Sequence, residues 1–170
     1  MKKTFKFALA VLLFASFIQS DVRKVPASEV KTLDGKSINT EKLSNDGKPI
    51  LISFWATWCS PCKKELNAIA EVYDDWKKET GVKIIAVSID DSRSSGKIAP
   101  YVNGKGWDYE EYIDVNSDFK RGMGVNMPPH TFILNGKGEI VWQHVGFKDG
   151  DEALYIEVLR KVAKGEKIDQ

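Results

Sequence analysis

The chain has 170 residues, of which 42% are hydrophobic and 29% charged, with a formal net charge of +1. That length gives one well-buried domain, and near-neutral charge excludes the basic face that nucleic acid or an anionic surface selects. Two cysteines are too few for a disulfide-stapled scaffold.

At the N-terminus Lys2, Lys3 and Lys6 precede the apolar-leaning run Phe7 to Ile18, then Gln19-Ser20. A basic start, a short apolar stretch and a small residue before a cut describe a secretory signal. Residues 1–20 are therefore expected to be a signal peptide and 21–170 one folded domain. The run is short of the about 20 apolar residues that span a bilayer. The alternatives are an uncleaved anchor and an amphipathic N-terminal helix. No cysteine lies near the cut to carry a lipid. Removing the segment takes three lysines and no acids, leaving 22 basic and 24 acidic residues, a net of −2. Exported proteins meet oxidising surroundings in which disulfides persist.

Residues 29–33 and 36–39 flank Asp34-Gly35, a turn pair suited to positive φ, and are expected to form a hairpin. Thr40-Glu41 starts a short helix that Gly47-Lys48-Pro49 ends. The apolar run Ile50 to Ala56 reads as a buried strand. From Pro61 to Thr80, Cys62, Leu66, Ile69, Tyr73 and Trp76 recur at steps of four and three, one apolar stripe on a helix. Gly81 closes it. Val82 to Asp90 is a second buried strand, so the three elements make a βαβ unit with a parallel pair.

Cys59 and Cys62 thus fall where a strand hands over to a helix. Unpaired N–H groups and the positive dipole end at a helix start favour an anion, which lowers a thiol's pKa. Lys63 and Lys64 add positive charge, and Pro61 is tolerated because a first-turn N–H has no intrahelical partner. The spacing predicts one exposed, activated thiol at Cys59 and a shielded one at Cys62. A bare C-x-x-C is also compatible with metal ligation or an inert structural disulfide. The buried strand, the Trp58-Cys59 approach and the helix-initiating proline favour redox exchange.

Downstream, residues 91–96 read as loop and a helix follows to Asn103, ended by Gly104-Lys105-Gly106. Trp107 to Asp114 reads as a short edge strand reaching Tyr112-Ile113. Ser117 is expected to cap a short helix through Met123. His130 to Leu134 and Glu139 to Val145 form a hairpin around Asn135-Gly136-Lys137-Gly138. Asp149 is expected to cap a last helix with Leu154, Val158 and Val162 on its buried face, ended by Gly165.

Phe54-Trp55-Ala56-Thr57-Trp58-Cys59-Ser60-Pro61-Cys62 resembles the thioredoxin superfamily, and within it the extracytoplasmic TlpA/ResA-type branch. Gly124-Val125-Asn126-Met127-Pro128-Pro129-His130-Thr131-Phe132 is similar to the superfamily's second landmark. The resemblance implies an α/β, thioredoxin-like three-layer sandwich. Its central mixed sheet has an N-terminal βαβ and a C-terminal ββα, plus the leading hairpin. It makes Pro129 the expected cis-proline beside the dithiol, against the alternative of a trans-proline loop. Trp58, Ser60, Pro61, Pro128 and Pro129 become the expected client-binding surface. By the same resemblance the residue before the cis-proline pairs its backbone with an extended client. Pro128 there has no N–H to offer, so one main-chain hydrogen bond is expected to be missing.

Glu65 matches a glutamate that tunes the cysteine pair and relays a proton in the ResA-like pattern; its bland reading is a solvated first-turn acid favoured by the dipole. Ser53 stands where thioredoxin itself carries a buried acid. His130 and His144 could join the cysteines as a metal set, but their spacing is far from that of compact zinc sites, so neither metal nor organic cofactor is expected. The implied activity is thiol–disulfide exchange, reducing disulfides of exported clients such as apocytochrome c in cytochrome c biogenesis. Electrons would come from a membrane thiol reductase. The implied location is periplasmic or otherwise extracytoplasmic, membrane-tethered if the N-terminal segment stays. Ser60-Pro61 lacks the histidine of strongly oxidising sites, which suggests a potential below roughly −200 mV. The rivals are an oxidant or isomerase, a thiol peroxidase, whose Pro-x-x-x-Thr-x-x-Cys approach is missing before Cys59, and a non-catalytic copper- or thiol-binding module.

Overall fold

Val-, Ile- and Phe-rich segments supply the strands that anchor the molecule. The computed structural model describes residues 23–168; the segment read as a signal peptide lies outside them. β1 (Glu29–Thr32) and β2 (Ser37–Asn39) form the leading hairpin, with Gly35 at φ +85° in its turn. β3 (Ile50–Trp55) is buried along all six residues. It leads into α1 (Ser60–Thr80), which Gly81 ends in the left-handed region at φ +69°. β4 (Lys83–Ser88), α2 (Ile98–Lys105), β5 (Glu110–Ile113), α3 (Asp118–Gly122), β6 (His130–Leu134), β7 (Ile140–Val145) and α4 (Glu152–Ala163) follow.

One seven-stranded mixed sheet runs β2-β1-β5-β4-β3-β6-β7. β3, β4 and β5 are parallel, whereas β6 and β7 are antiparallel to their neighbours. α1 and α4 pack on one face, where Leu51, Ile84 and Ile133 meet Ile69, Tyr73, Tyr155 and Leu159. On the other face Phe54 meets Phe119 of α3 at 5.2 Å and Phe132 edge-on at 5.9 Å. The result is the expected α/β, three-layer thioredoxin-like arrangement with a hairpin added.

Four expectations change. β5 is not an edge strand, because β1 pairs with its free side, Lys31 opposite Ile113 and Thr32 opposite Tyr112. α2 continues two residues beyond Asn103, through Lys105, and Gly106, the last residue of the expected Gly104-Lys105-Gly106 ending, takes the left-handed cap. Ser117 makes no capping bond; the Asp114 carboxylate instead accepts from the backbone N–H of Phe119 (3.3 Å) and Lys120 (2.7 Å). α4 begins at Glu152 and buries Tyr155, Ile156, Leu159 and Val162, leaving Leu154 44% exposed. Steps of four drift around a helix of 3.6 residues per turn, and Leu154 lies about 80° from Val162, beyond the edge of the sector that Tyr155, Ile156, Leu159 and Val162 bury.

Candidate active site

The strand-to-helix junction is pinned from β4. Asp90, fully buried at the end of that strand, accepts from Thr57 N (2.8 Å), Thr57 Oγ1 (2.6 Å) and Ser88 Oγ (2.8 Å). Lys63 Nζ donates to Thr57 O at 3.1 Å, and Cys59 N donates to Ala56 O at 3.0 Å. The loop therefore delivers Cys59 to the N-cap of α1 with φ −91° and ψ 101°, its Sγ accepting from Cys62 N at 3.3 Å. Cys59 and Cys62 are joined as a disulfide, Cα atoms 5.3 Å apart. Sγ of Cys59 sits where orphan helix N–H groups converge, which favours a thiolate once the bond is broken.

Accessibility differs from the expectation of an exposed front sulfur. In the disulfide Cys59 is 4% exposed and Cys62 fully buried, while Trp58 is 63% exposed and Ser60 and Pro61 face solvent. The motif presents its flanking residues. Trp55 and Trp58 divide: Trp55 is buried in the same core cluster as both cysteines.

β6 brings the second half. Phe54 of β3 lies opposite His130, so the residues just before β6 enter at the sheet end that carries the disulfide. The Pro128–Pro129 bond is cis. Pro129 is buried and its carbonyl accepts from Gly146 N at 2.8 Å, whereas Met127 ahead of it is 68% exposed. His130 is buried and stacks on Phe132 at 4.2 Å, with burial holding its pKa down. His144 lies 3.3 Å from Asp151. Among the described residues no group of three or more His, Cys, Asp or Glu is placed to hold a metal ion.

Glu65 is no solvated first-turn acid. It is fully buried one turn beyond Cys62 and accepts three hydroxyls: Ser53 of β3 (2.6 Å), Thr131 of β6 (2.8 Å) and Tyr155 of α4 (2.6 Å). Burial pushes its carboxyl up, and the three donors pull the other way by favouring the charged form. Ser53, noted only as the place of an absent acid, is thus the donor to an acid arriving from the helix. Asp90 and Tyr155 escaped the sequence reading. An acid ending a buried strand hints at the first; nothing local marks the second.

The AhpC/TSA family model matches residues 22–143. Thiol-disulfide oxidoreductase ResA of Bacillus thuringiensis (strain Al Hakam) is 34% identical over 124 residues, 73% of this chain and 69% of that protein. Thiol:disulfide interchange protein DsbE of Haemophilus influenzae is 31% identical over 144 residues, 82% of this chain and 73% of the relative. The solution structure of an uncharacterized thioredoxin-like protein from Porphyromonas gingivalis is 49% identical. It covers 82% of this chain and 92% of its own, with a TM-score of 0.75. With a helix-capping disulfide, a cis-proline at the same end of the sheet and these relatives, the chain belongs to the AhpC/TSA family of thioredoxin-like proteins and is a thiol–disulfide oxidoreductase.

Proposed function

We propose that the chain is exported and reduces disulfides of other exported proteins, with Cys59 as nucleophile and Cys62 as resolving thiol. The observation that carries this is the position of Cys59 Sγ, capping α1 and accepting the Cys62 N–H. In the reduced form the Cys59 thiolate attacks one sulfur of a client disulfide. The client S–S bond breaks, a mixed disulfide forms, and the departing client thiolate takes a proton. Cys62 then loses its proton and attacks Cys59 Sγ, releasing the second client thiol and closing the Cys59–Cys62 bond. Glu65, three residues further along the same helix, is the buried base for that proton. Two electrons pass to the client, and a second thiol partner must return them. The resemblance to TlpA/ResA-type proteins supports a membrane thiol reductase in that role and apocytochrome c among the clients. Exposed Trp58, Ser60 and Pro61, together with Pro128 and Pro129, form the client contact. The basic and apolar N-terminal segment supports a periplasmic or otherwise extracytoplasmic site of action.

The test is covalent trapping. A Cys62→Ser chain, reduced and presented with an oxidised cysteine-paired peptide, is expected to accumulate a mixed disulfide through Cys59, while Cys59→Ser forms none. Equal adduct yields from the two variants would reverse or remove the assigned roles. Equilibration with glutathione then sets direction: a potential near about −120 mV would make the chain an oxidant.

A further inference from the structure

Glu111 is an acid that the exchange reaction leaves without a task. It lies on β5 beside Ala86 of β4, and Ala86 lies beside Ser53 of β3, the residue that donates to Glu65. Paired residues share a sheet face, so Ser53, Ala86 and Glu111 form one row under α1. Two strand spacings, about 10 Å, separate Ser53 from Glu111. Glu111 is only 8% exposed, and among the described residues neither carboxyl oxygen has a hydrogen-bond partner. The indole Nε1 of Trp55 is in the same condition. It bears on the Glu111 carboxyl without making a hydrogen bond of normal geometry. Packing does not explain an acid here, because valine would fill an interior strand position without the penalty of burying an unpaired polar group.

Trp55 connects this acid to the disulfide. It ends β3 four residues before Cys59, packs in the same cluster as Cys59 and Cys62, and is held by Trp107 at 5.3 Å and Tyr101 at 5.8 Å. We propose that Glu111 is a positioning residue of the redox centre, a buried acid whose ionisation is coupled, through Trp55 and across the sheet face, to the charge on the reduced cysteine pair. This rests on Cys59 and Cys62 being the redox couple.

Burial pushes the Glu111 carboxyl up to about 8, with the Trp55 indole acting in the opposite sense. The groups around it leave that coupling intact. Tyr109, just before β5, donates to Leu66 O, and Tyr73 of α1 packs on the Tyr109 ring. Glu65 is taken up by its three hydroxyls, and Asp90 by Thr57 and Ser88. Lys63 of α1 and Lys105 of α2 lie over the ring of Tyr101. No one of them hydrogen-bonds Glu111. Two like charges in one low-dielectric interior, with the buried Trp55 packed between their surroundings, still repel appreciably. A Cys59 thiolate therefore tightens the hold of Glu111 on its proton, and an ionised Glu111 disfavours the thiolate, by reciprocal linkage. At alkaline pH the oxidised chain carries Glu111 as a carboxylate. A partner dithiol then delivers two electrons and two protons. The Cys59–Cys62 bond breaks and the partner's disulfide forms. One proton goes to Cys62 and Cys59 remains a thiolate; of the second proton Glu111 takes up a fraction, through its tightened hold, and the remainder passes to solvent.

The test follows the Glu111 side-chain carboxyl carbon by NMR in the full chain, oxidised and dithiothreitol-reduced, from about pH 6 to about pH 10. The oxidised midpoint is expected near 8, and the reduced midpoint roughly half a unit to one unit higher. In parallel, E111Q and the wild-type chain are equilibrated with glutathione. Their oxidised-to-reduced ratios are expected to separate by roughly threefold to tenfold above about pH 8 and to converge towards about pH 6. Equal midpoints in the two redox states overturn the inference, as does an E111Q offset that is the same at every pH. If E111Q does not fold, the wild-type midpoints decide. If the wild-type cysteines do not exchange with glutathione at all, the redox reading itself has failed; a working couple with unlinked Glu111 defeats only the coupling.

Discussion

At Glu65 three hydroxyls converge from residues 12, 66 and 90 positions away in sequence. A buried carboxyl that satisfies so many donors holds the two halves of the site together as well as serving the proposed proton transfer. Glu65→Ala would strand three hydroxyls and open a cavity, and is expected to destabilise the oxidised chain by about 3 kcal/mol or more in urea denaturation. Glu65→Gln keeps the volume and can be re-satisfied by turning one hydroxyl, so its destabilisation is expected at about 1 kcal/mol. Its signature is kinetic: resolution of the mixed disulfide by Cys62, followed by stopped flow, slows roughly tenfold to a hundredfold for want of a base. An unchanged resolution rate would exclude Glu65 from the proton path and leave it a packing residue. Pro128 is read the opposite way, through what it lacks. It offers no N–H beside buried Pro129, so Pro128→Ile is expected to raise the rate with peptide disulfides severalfold by restoring one donor. A rate equal to or below that of the wild-type chain would show that clients do not pair with this backbone. The dithiol and the cis-proline were legible because each lies in a short contiguous motif. The buried state of Glu65 was not, because its partners come from three elements that only the tertiary fold brings together.

Among the elements, those with long unbroken patterns were legible. The stripe Cys62, Leu66, Ile69, Tyr73 and Trp76 is the face that α1 buries, and the apolar runs around it are the parallel pair β3 and β4. Strand order was not, since periodicity says which side chains are buried and nothing about which strand lies alongside. β5 looked like an edge because it is short and acidic, yet the leading hairpin covers it, and the sheet edge lies two strands further out, at β2. That cover reaches the residues next to Glu111: β1 pairs with Tyr112 and Ile113, and Glu111 is 8% exposed with both carboxyl oxygens buried. Short elements failed for a different reason. The first turn of α3 is capped from Asp114, four residues before the helix begins, whose carboxylate reaches over Ser117, itself in the left-handed region at φ 57°. A serine just ahead of a helix is the stronger sequence signal, and here tertiary geometry overrides it.

For the whole molecule, buried acids set how stability responds to pH. Glu111 binds its proton more tightly folded than unfolded, its carboxyl pushed from 4.5 up to about 8 by burial. Its contribution is complete below pH 4.5 and is lost as pH rises towards 8. Burial raises Glu65 and Asp114 in the same sense. His130 opposes them: burial lowers its pKa, so stability is gained as pH rises, but that gain is finished just above its ordinary 6.5. Asp34, Glu79 and Asp91, held low by Lys36, Arg160 and Arg93, are exposed, and their screened effects belong to acid pH. The clean window therefore lies between about pH 6.5 and about pH 8, where the raised carboxyls alone act and unfolding free energy is expected to fall with increasing pH. For Glu111 the loss across that window is between about 1 and about 2 kcal/mol, from 1.36 kcal/mol per unit less the partial titration near its midpoint. Urea denaturation of the oxidised chain at both ends of the window, with E111Q beside it, measures this directly. The variant should lose between about 1 and about 2 kcal/mol less than the wild-type chain over the same interval. Parallel behaviour of the two would mean that water or a local opening already relieves the buried carboxylate, and the acid under α1 would then carry no proton of thermodynamic weight at neutral pH.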